Sequence, residues 1–146
     1  MKSGIIFAVV ISLLICVTAT PVFAAKGGAA TWNVPGDFAT IQDAIDSADV
    51  VAGDTIRVRP SSHAGAYVTK SVIIKGTGGA VIDSGPMHPA GLSMGFRLLA
   101  GSDGATISHL EFTVDLAIMN GDAVDNVTVE HCTFIDAIQG VSNWGG

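Results

Sequence analysis

Hydrophobic and polar residues alternate in two matching stretches of the chain, residues 105–113 and 127–135. The stretches align position by position at an offset of 22 residues, so that Phe112 corresponds to Phe134 and His109 to His131. Alternation predicts short β-strands, and a fixed period in this range predicts stacked repeats. The pattern therefore predicts an all-β fold, a right-handed, single-stranded parallel β-helix of about four coils.

The same alternation marks further short strands. Three strands per coil, with coils stacked at about 4.8 Å, give three parallel sheets. The step from Ser71 to Ala105 is longer than the others because segment 84–94 interrupts it, and this segment is predicted to project as a loop. The predicted strands are 32–34, 55–59, 71–75, 80–83, 95–99, 105–108, 110–114, 116–120, 127–130, 132–135 and 137–141.

A helical period occurs once, after the first predicted strand. Ile41, Ala44 and Ile45 follow one another at helical spacing, and Thr40 and Asp43 have the spacing of a capping box. A solenoid has to cover the open end of its core. We therefore predict a short α-helix that caps the first coil.

The first 24 residues have the pattern of an export signal. Lys2 supplies a positive start, an apolar run follows at 5–17, and small residues at 22–24 suit signal cleavage. The apolar run is shorter than the roughly 20 residues that a membrane span needs. We expect an exported chain without a membrane span after cleavage, located in the periplasm, at the cell surface or outside the cell.

The rest of the sequence divides into three parts. These are a flexible lead-in at 25–31, the N-terminal strand and capping helix at 32–52, and the β-helix coils at 53–146. The last predicted coil is followed by no capping pattern, so its apolar side chains and strand edges need a cover. We expect that cover to be further C-terminal coils of a longer protein, or another chain.

Net charge and cysteine content argue against two kinds of function, nucleic-acid binding and thiol chemistry. The formal net charge is −6, which argues against nucleic acid as a partner. Cys132 alternates with polar neighbours in a strand pattern and is predicted to be a small buried hydrophobic residue rather than a reactive thiol.

Several segments resemble a known superfamily. Residues 34–46, 53–58, 70–76 and 81–83 resemble the start of pectin-lyase-fold proteins, and residues 126–134 resemble the parallel β-helix repeat of that superfamily. The resemblance covers nearly all of the chain after the signal. It implies the fold but no particular activity, because the superfamily contains lyases, hydrolases, esterases and adhesins.

The opening segment is also similar to pectin methylesterases. In that family a Gln-Asp-Thr triplet after a Cys-x-Phe strand carries a catalytic glutamine and a catalytic aspartate. The matching residues here are Gln139, Gly140 and Val141, so the resemblance leaves Gln139 as a catalytic candidate and places glycine where the acid belongs. The family's second aspartate and its arginine would lie beyond residue 146. We therefore expect the chain as given to be non-catalytic.

The repeat, extended along the chain, predicts which residues lie on the outer face of the coils, where acid–base groups would be needed. A period of 22 residues places Arg97, Met119 and Val141 in one outward column, which contains no carboxylate. Reactions at a glycosidic bond need a pair of titratable groups within reach of that bond. The column therefore favours binding over catalysis.

Aromatic side chains are the candidates for carbohydrate binding. Trp32, Tyr67 and Trp144 are expected to meet solvent, and Arg97 adds a local positive charge. Core packing is the alternative for the tryptophans. A polysaccharide is the expected partner.

Two stacked pairs are candidates for metal binding. Asp103 and Asp125 repeat beside small turn residues and are candidates for a Ca²⁺ site. His109 and His131 repeat at a bend, where histidine tolerates a positive φ. For both pairs the favoured interpretation is turn formation.

Together these patterns predict an exported β-helix repeat protein with a structural or carbohydrate-binding role at the cell surface. The alternative is the N-terminal fragment of a polysaccharide-active enzyme, of the pectate lyase or pectinesterase type, whose catalytic coils lie beyond residue 146.

Overall fold

The computed structural model describes residues 29–121 and 124–143. The predicted signal, most of the lead-in and Trp144 lie outside these residues. The described part contains thirteen strands and one helix. In chain order they are β1 (Thr31–Val34), α1 (Ile41–Asp46), β2 (Thr55–Val58), β3 (Ser61–Ala64), β4 (Ala66–Val68), β5 (Ile73–Gly76), β6 (Ala80–Ser84), β7 (Met94–Leu98), β8 (Thr106–Ser108), β9 (Glu111–Phe112), β10 (Leu116–Asn120), β11 (Thr128–Glu130), β12 (Thr133–Phe134) and β13 (Gln139–Asn143).

The strands form three sheets in which neighbouring strands run parallel. Sheet 1 has the order β1-β2-β5-β8-β11, sheet 2 the order β4-β7-β10-β13, and sheet 3 the order β3-β6-β9-β12. Successive strands of a sheet come from successive windings, so the fold is a parallel β-solenoid of about five turns. This confirms the predicted fold class. The predicted count of about four coils is corrected upward, because sheet 1 contains five strands.

The repeat predicted from the sequence is present in the structure. Strands β8 and β11 pair in register, with Ile107 opposite Val129, and β9 pairs with β12, with Phe112 opposite Phe134. The two phenyl rings stack at a centroid separation of 5.5 Å. Alternate residues of each strand therefore point into a continuous core, as the pleat of a strand requires.

Helix α1 covers the N-terminal end of this core. The predicted capping box is confirmed: Asp43 N–H donates to Thr40 Oγ1 at 3.0 Å, and Thr40 N–H donates to Asp43 Oδ2 at 3.1 Å. The buried face of the helix is Ile41, Ala44 and Ile45. These residues belong to the main core cluster, so the helix closes the solenoid at this end.

Two strands that the sequence pattern did not predict open sheets 3 and 2. They are β3, which is polar, and β4, which has three residues. Strand β4 forms one edge of sheet 2, and the Gln42 side chain of α1 hydrogen-bonds to that edge. Tyr67 N–H donates to Gln42 Oε1 at 2.8 Å, and Gln42 Nε2 donates to the Tyr67 carbonyl at 3.4 Å.

The last described winding differs from the others in exposure. Phe134, Ile135, Ile138 and Val141 are all exposed, and β11, β12 and β13 each form the outer edge of a sheet. The expectation that further coils or another chain cover this end stays a prediction. Among the residues described, no helix has the length and apolar character needed to cross a bilayer.

Candidate functional site

Tyr67 is the predicted carbohydrate-binding residue whose ring lies on the outer surface. It is the middle residue of β4, and its neighbours Ala66 and Val68 are buried, so the strand pleat directs the Tyr67 ring outward. The residue is 38% exposed. The Gln42 side chain makes two hydrogen bonds to the Tyr67 backbone, and these bonds fix the edge of β4 that carries the ring.

A broad groove of about 720 Å³ lies beside this ring. Its polar lining comes from several elements: Gln42 and Asp46 from α1, and Thr69 and Ser84 from the ends of β4 and β6. Gln42 Nε2 donates to Asp46 Oδ1 at 2.9 Å, which orients both side chains. We call this cavity with its aromatic wall the Tyr67 groove.

The groove combines an aromatic ring with groups that can bind hydroxyls. The carboxylate of Asp46 accepts hydrogen bonds, the carboxamide of Gln42 donates and accepts them, and the hydroxyls of Thr69 and Ser84 do both. None of these four residues was predicted from the sequence as a binding residue. The polar positions Gln42 and Asp46, one helical turn apart on α1, were the available signal, but the helix was interpreted only as a cap.

Arg97 lies next to Tyr67 in the following winding. The two residues are register partners in sheet 2, so the structure brings these two predicted binding residues together. The side chain of Arg97 lies against Gly121, where an added Cβ would be 2.7 Å from Arg97 Nε. Arg97 is half-buried, and its Nε has no hydrogen-bond partner among the residues that the structure describes. Arg97 is therefore adjacent to Tyr67 in sheet 2, but it does not line the Tyr67 groove.

The predicted outward column is corrected beyond Met119. Met119 pairs with Arg97 as expected, but its partner in the next winding is Ser142, while Val141 pairs with Ile118. The reason is one extra residue in the turn between β12 and β13. Asp136 in that turn has a φ of 54°, a left-handed conformation that accommodates the longer bend.

The outer face of sheet 2 is partly covered by the segment predicted as a loop, 84–94. Within it Met87 and Ser93 form an antiparallel bridge, and Met94 joins a small cluster with Leu116 and Met119. Met119 is only 3% exposed. The accessible part of this face is therefore the part near Tyr67 and Arg97.

Asp115 fastens this segment to the sheet. Its Oδ2 accepts hydrogen bonds from Ser93 N–H and Ser93 Oγ, both at 2.8 Å. The bond from the Ser93 backbone, followed by the bond from the Ser93 hydroxyl, lowers the pKa of Asp115 below its ordinary value. The ionised carboxylate is therefore the form that holds the segment.

We expect the attachment of Ser93 to weaken in acid. Because the folded-state pKa of Asp115 is lowered, its contribution is present above the unfolded-state pKa and is lost as the pH falls through the folded-state value. In an NMR titration the Ser93 amide should shift sharply upfield when Asp115 is protonated, and Asp115→Asn should abolish that transition. A Ser93 amide shift that stays constant through the acid range would contradict the assignment.

The remaining predicted binding residues lie elsewhere. Trp32 is on sheet 1, half-buried, with its indole N–H donating to Asp54 Oδ2 at 2.9 Å and its ring 5.6 Å from that of Phe38. Trp32 and Tyr67 are therefore on different sheets. Trp144 is outside the described residues. Gln139, the catalytic candidate, begins β13, and its N–H donates to the Asp115 carbonyl at 3.0 Å.

The metal candidates occupy turns. Asp125 N–H donates to Asp103 Oδ1 at 3.0 Å, which links two stacked turns. His109 and His131 have φ values of 57° and 52°, and their ring centroids are 4.8 Å apart. Within the described ranges, no three His, Cys, Asp or Glu side chains are grouped so as to hold a metal ion. The Ca²⁺ prediction stays a prediction.

Cys132 is a free, half-buried cysteine that packs against the main core. Desolvation raises the pKa of its thiol above the ordinary value. A raised pKa disfavours the thiolate, which is the reactive form. The location agrees with the predicted role of a small hydrophobic residue.

In comparisons with known proteins, no family model, no curated protein and no solved structure matches this chain.

Proposed function

We propose that this chain is an exported β-helix repeat protein of the pectin-lyase-fold type that binds carbohydrate at the Tyr67 groove. The observation that carries the proposal is the exposed Tyr67 ring at the wall of a groove of about 720 Å³ with a polar lining. The parallel β-solenoid supports the superfamily resemblance, and residues 1–24 support export through their signal pattern.

The chemistry of the groove suits a sugar ring. A sugar has apolar C–H faces and hydroxyls at its rim, so it needs an aromatic surface beside polar groups. Tyr67 offers the apolar face, while Asp46 and Gln42 offer hydrogen bonds to hydroxyls. Pockets in which a few convergent polar groups fix a ligand on an apolar wall are the common form of small-molecule sites.

Charge narrows the type of polysaccharide. The chain has a formal net charge of −6, which repels a polyanion at long range. Asp46 places a further negative charge inside the groove. We therefore propose a neutral polysaccharide as the ligand, with Arg97, the register partner of Tyr67, as an additional hydrogen-bond donor.

We further propose binding without turnover. The outward column that begins at Tyr67 continues with Arg97, Met119 and Ser142. None of these four side chains is a carboxylic acid, whereas glycosidic cleavage by acid–base chemistry needs two carboxyl groups. Arg97 and Tyr67 in this column are suited to holding a ligand. The expected role is attachment to, or organisation of, a carbohydrate surface.

Isothermal titration against a panel of neutral oligosaccharides tests the proposal. The chain without residues 1–24 should bind at least one of them, and Tyr67→Ala should weaken that binding at least about tenfold, the size expected for an aromatic anchor. Tyr67→Phe keeps the ring and should retain most of the affinity.

A matched control is Phe134→Ala, which removes a ring of similar exposure, 37% against 38%, from sheet 3. It should leave the affinity unchanged. Absence of binding across the panel, or equal affinity of Tyr67→Ala and the unaltered chain, would overturn the proposal. Release of shortened products would favour a polysaccharide-active enzyme instead.

A further inference from the structure

We propose a second site, for a divalent transition-metal ion, formed by His109 and His131 at the corner between sheets 1 and 3. His109 directly follows β8, and His131 directly follows β11. These strands pair in register up to Ser108 and Glu130, so the two histidines occupy the same corner in consecutive windings. Both side chains are exposed.

The backbone fixes the position of each ring. Both residues have left-handed φ values, 57° for His109 and 52° for His131, and His109 N–H donates to the Glu130 carbonyl at 3.2 Å. The two imidazoles therefore leave the solenoid side by side, with ring centroids 4.8 Å apart and planes tilted by 39°.

This separation suits two adjacent positions around one metal ion. A metal bound about 2.0 Å from one nitrogen of each ring lies roughly 3.1 Å from each centroid, so a centroid separation of 4.8 Å gives a nitrogen–metal–nitrogen angle of about 100°. That angle lies between the square-planar and tetrahedral values. Rotation of the exposed rings about their side-chain torsions directs one nitrogen of each toward the ion.

The space in front of the rings is open to an ion. A cavity of about 300 Å³ is bordered by both histidines, by Glu111 and by the glycines Gly76 and Gly79. The glycines place no side chain in the cavity, so an ion can reach the imidazoles with its water ligands. Glu111 adds negative charge to the same cavity, which favours a cation.

The identity of the ion follows from the ligands. Two imidazoles with water in the remaining positions suit a tetragonal ion with nitrogen and oxygen ligands, and the affinity of such sites is highest for Cu²⁺ in the first-row series. We therefore assign the site to Cu²⁺, with Ni²⁺ and Zn²⁺ binding more weakly.

The bend by itself does not require histidine. Asn126 and Asp136 adopt equivalent left-handed conformations, with φ values of 59° and 54°. Asparagine at position 109 or 131 is therefore expected to keep the backbone bend while it removes the imidazole. This makes His109→Asn and His131→Asn selective variants for metal binding.

Titration of the full chain with CuCl₂ at neutral pH tests the site, with calorimetry for affinity and electron paramagnetic resonance for the ligands. We expect one tight Cu²⁺ per chain, with nitrogen hyperfine structure from two imidazoles. His109→Asn and His131→Asn should each weaken binding by at least about tenfold, because loss of even an outer-shell partner of a metal ligand typically costs about 10- to 100-fold in affinity. Their melting temperatures without metal should stay close to that of the unaltered chain.

Three controls separate this site from others on the chain. His63→Asn and His88→Asn remove histidines that lie outside the corner, and Cys132→Ser removes the neighbouring thiol; all three should leave Cu²⁺ affinity unchanged. Equal affinity of the His109→Asn chain and the unaltered chain, or a spectrum with a single nitrogen ligand, would overturn the proposal. The site is on a different edge of the solenoid from the Tyr67 groove, so it can fail or hold independently of carbohydrate binding.

Discussion

Phe112→Ala is expected to lower the free energy of unfolding by about 3–5 kcal/mol, the range for removal of a buried phenylalanine side chain. Phe112 is fully buried at the centre of the core. Its ring makes an edge-on contact with Phe96 at a centroid distance of 5.8 Å and stacks on Phe134 at 5.5 Å. The substitution therefore removes contacts to the preceding winding and to the following one, and it leaves a cavity between windings.

Urea unfolding followed by circular dichroism measures this effect, and Phe134→Ala is the matched control. Phe134 has the same repeat position one winding later, but it is 37% exposed. Folding therefore buries less apolar surface at Phe134 than at Phe112. Replacement of Phe134 should cost about 1 kcal/mol. Equal losses for the two variants would show that Phe112 is not at the centre of a stacked core.

Gly65→Ala is expected to destabilise the fold by about 3 kcal/mol, at the upper end of the usual cost of overpacking. Gly65 is buried between β3 and β4, and a Cβ added there would overlap the backbone carbonyl of Gly95 in the next winding. The obstacle is main chain rather than the end of a flexible side chain. The two windings would have to separate to accommodate one methyl group.

Gly78→Ala is the matched control for this glycine. Within residues 29–121 and 124–143, a Cβ at Gly78 meets no atom within 4 Å apart from its chain neighbours, and the residue does not have a left-handed φ. The same chemical change should therefore alter the free energy of unfolding by no more than about 0.5 kcal/mol. A comparison of melting curves for the two variants gives the answer, and similar curves would contradict the close approach of Gly65 and Gly95.

The repeat at 105–113 and 127–135 allowed the fold to be predicted. In that part of the chain the windings have equal length and the pleat alternates cleanly, so correspondence in sequence became contact in space for Phe112 with Phe134 and for His109 with His131. The helical cap was predictable for a similar reason. Its capping box is a local pattern that depends on no distant residue.

The first windings were harder to predict because they lack a constant period. Thr55 pairs with Ile73, whereas Ile73 pairs with Thr106, so no single offset aligns them. Strand β3 is also polar over most of its length, and it is held by ladder hydrogen bonds to β6 rather than by an apolar face. The strand conformation of β3 therefore depends on its pairing with the neighbouring winding and not on a pattern in its own sequence.

The candidate site, like the fold, could be predicted only in part. The exposure of Tyr67 was predicted, but strand β4, whose pleat directs the ring outward, was not. The groove beside the ring could not be predicted, because Gln42 and Tyr67 come together only when α1 folds over the edge of β4. The shift from Val141 to Ser142 in the outward column arose from one additional turn residue, which a fixed period cannot represent.

Contacts between backbone protons measured by NMR test the stacking of windings most directly. The structure predicts cross-strand nuclear Overhauser effects that link residues 74 with 107 and 107 with 129, the neighbouring positions of sheet 1. These contacts join residues far apart in sequence and occur only if consecutive windings lie in register. Their absence, or a pattern of contacts confined to residues three and four positions apart, would contradict the parallel β-solenoid.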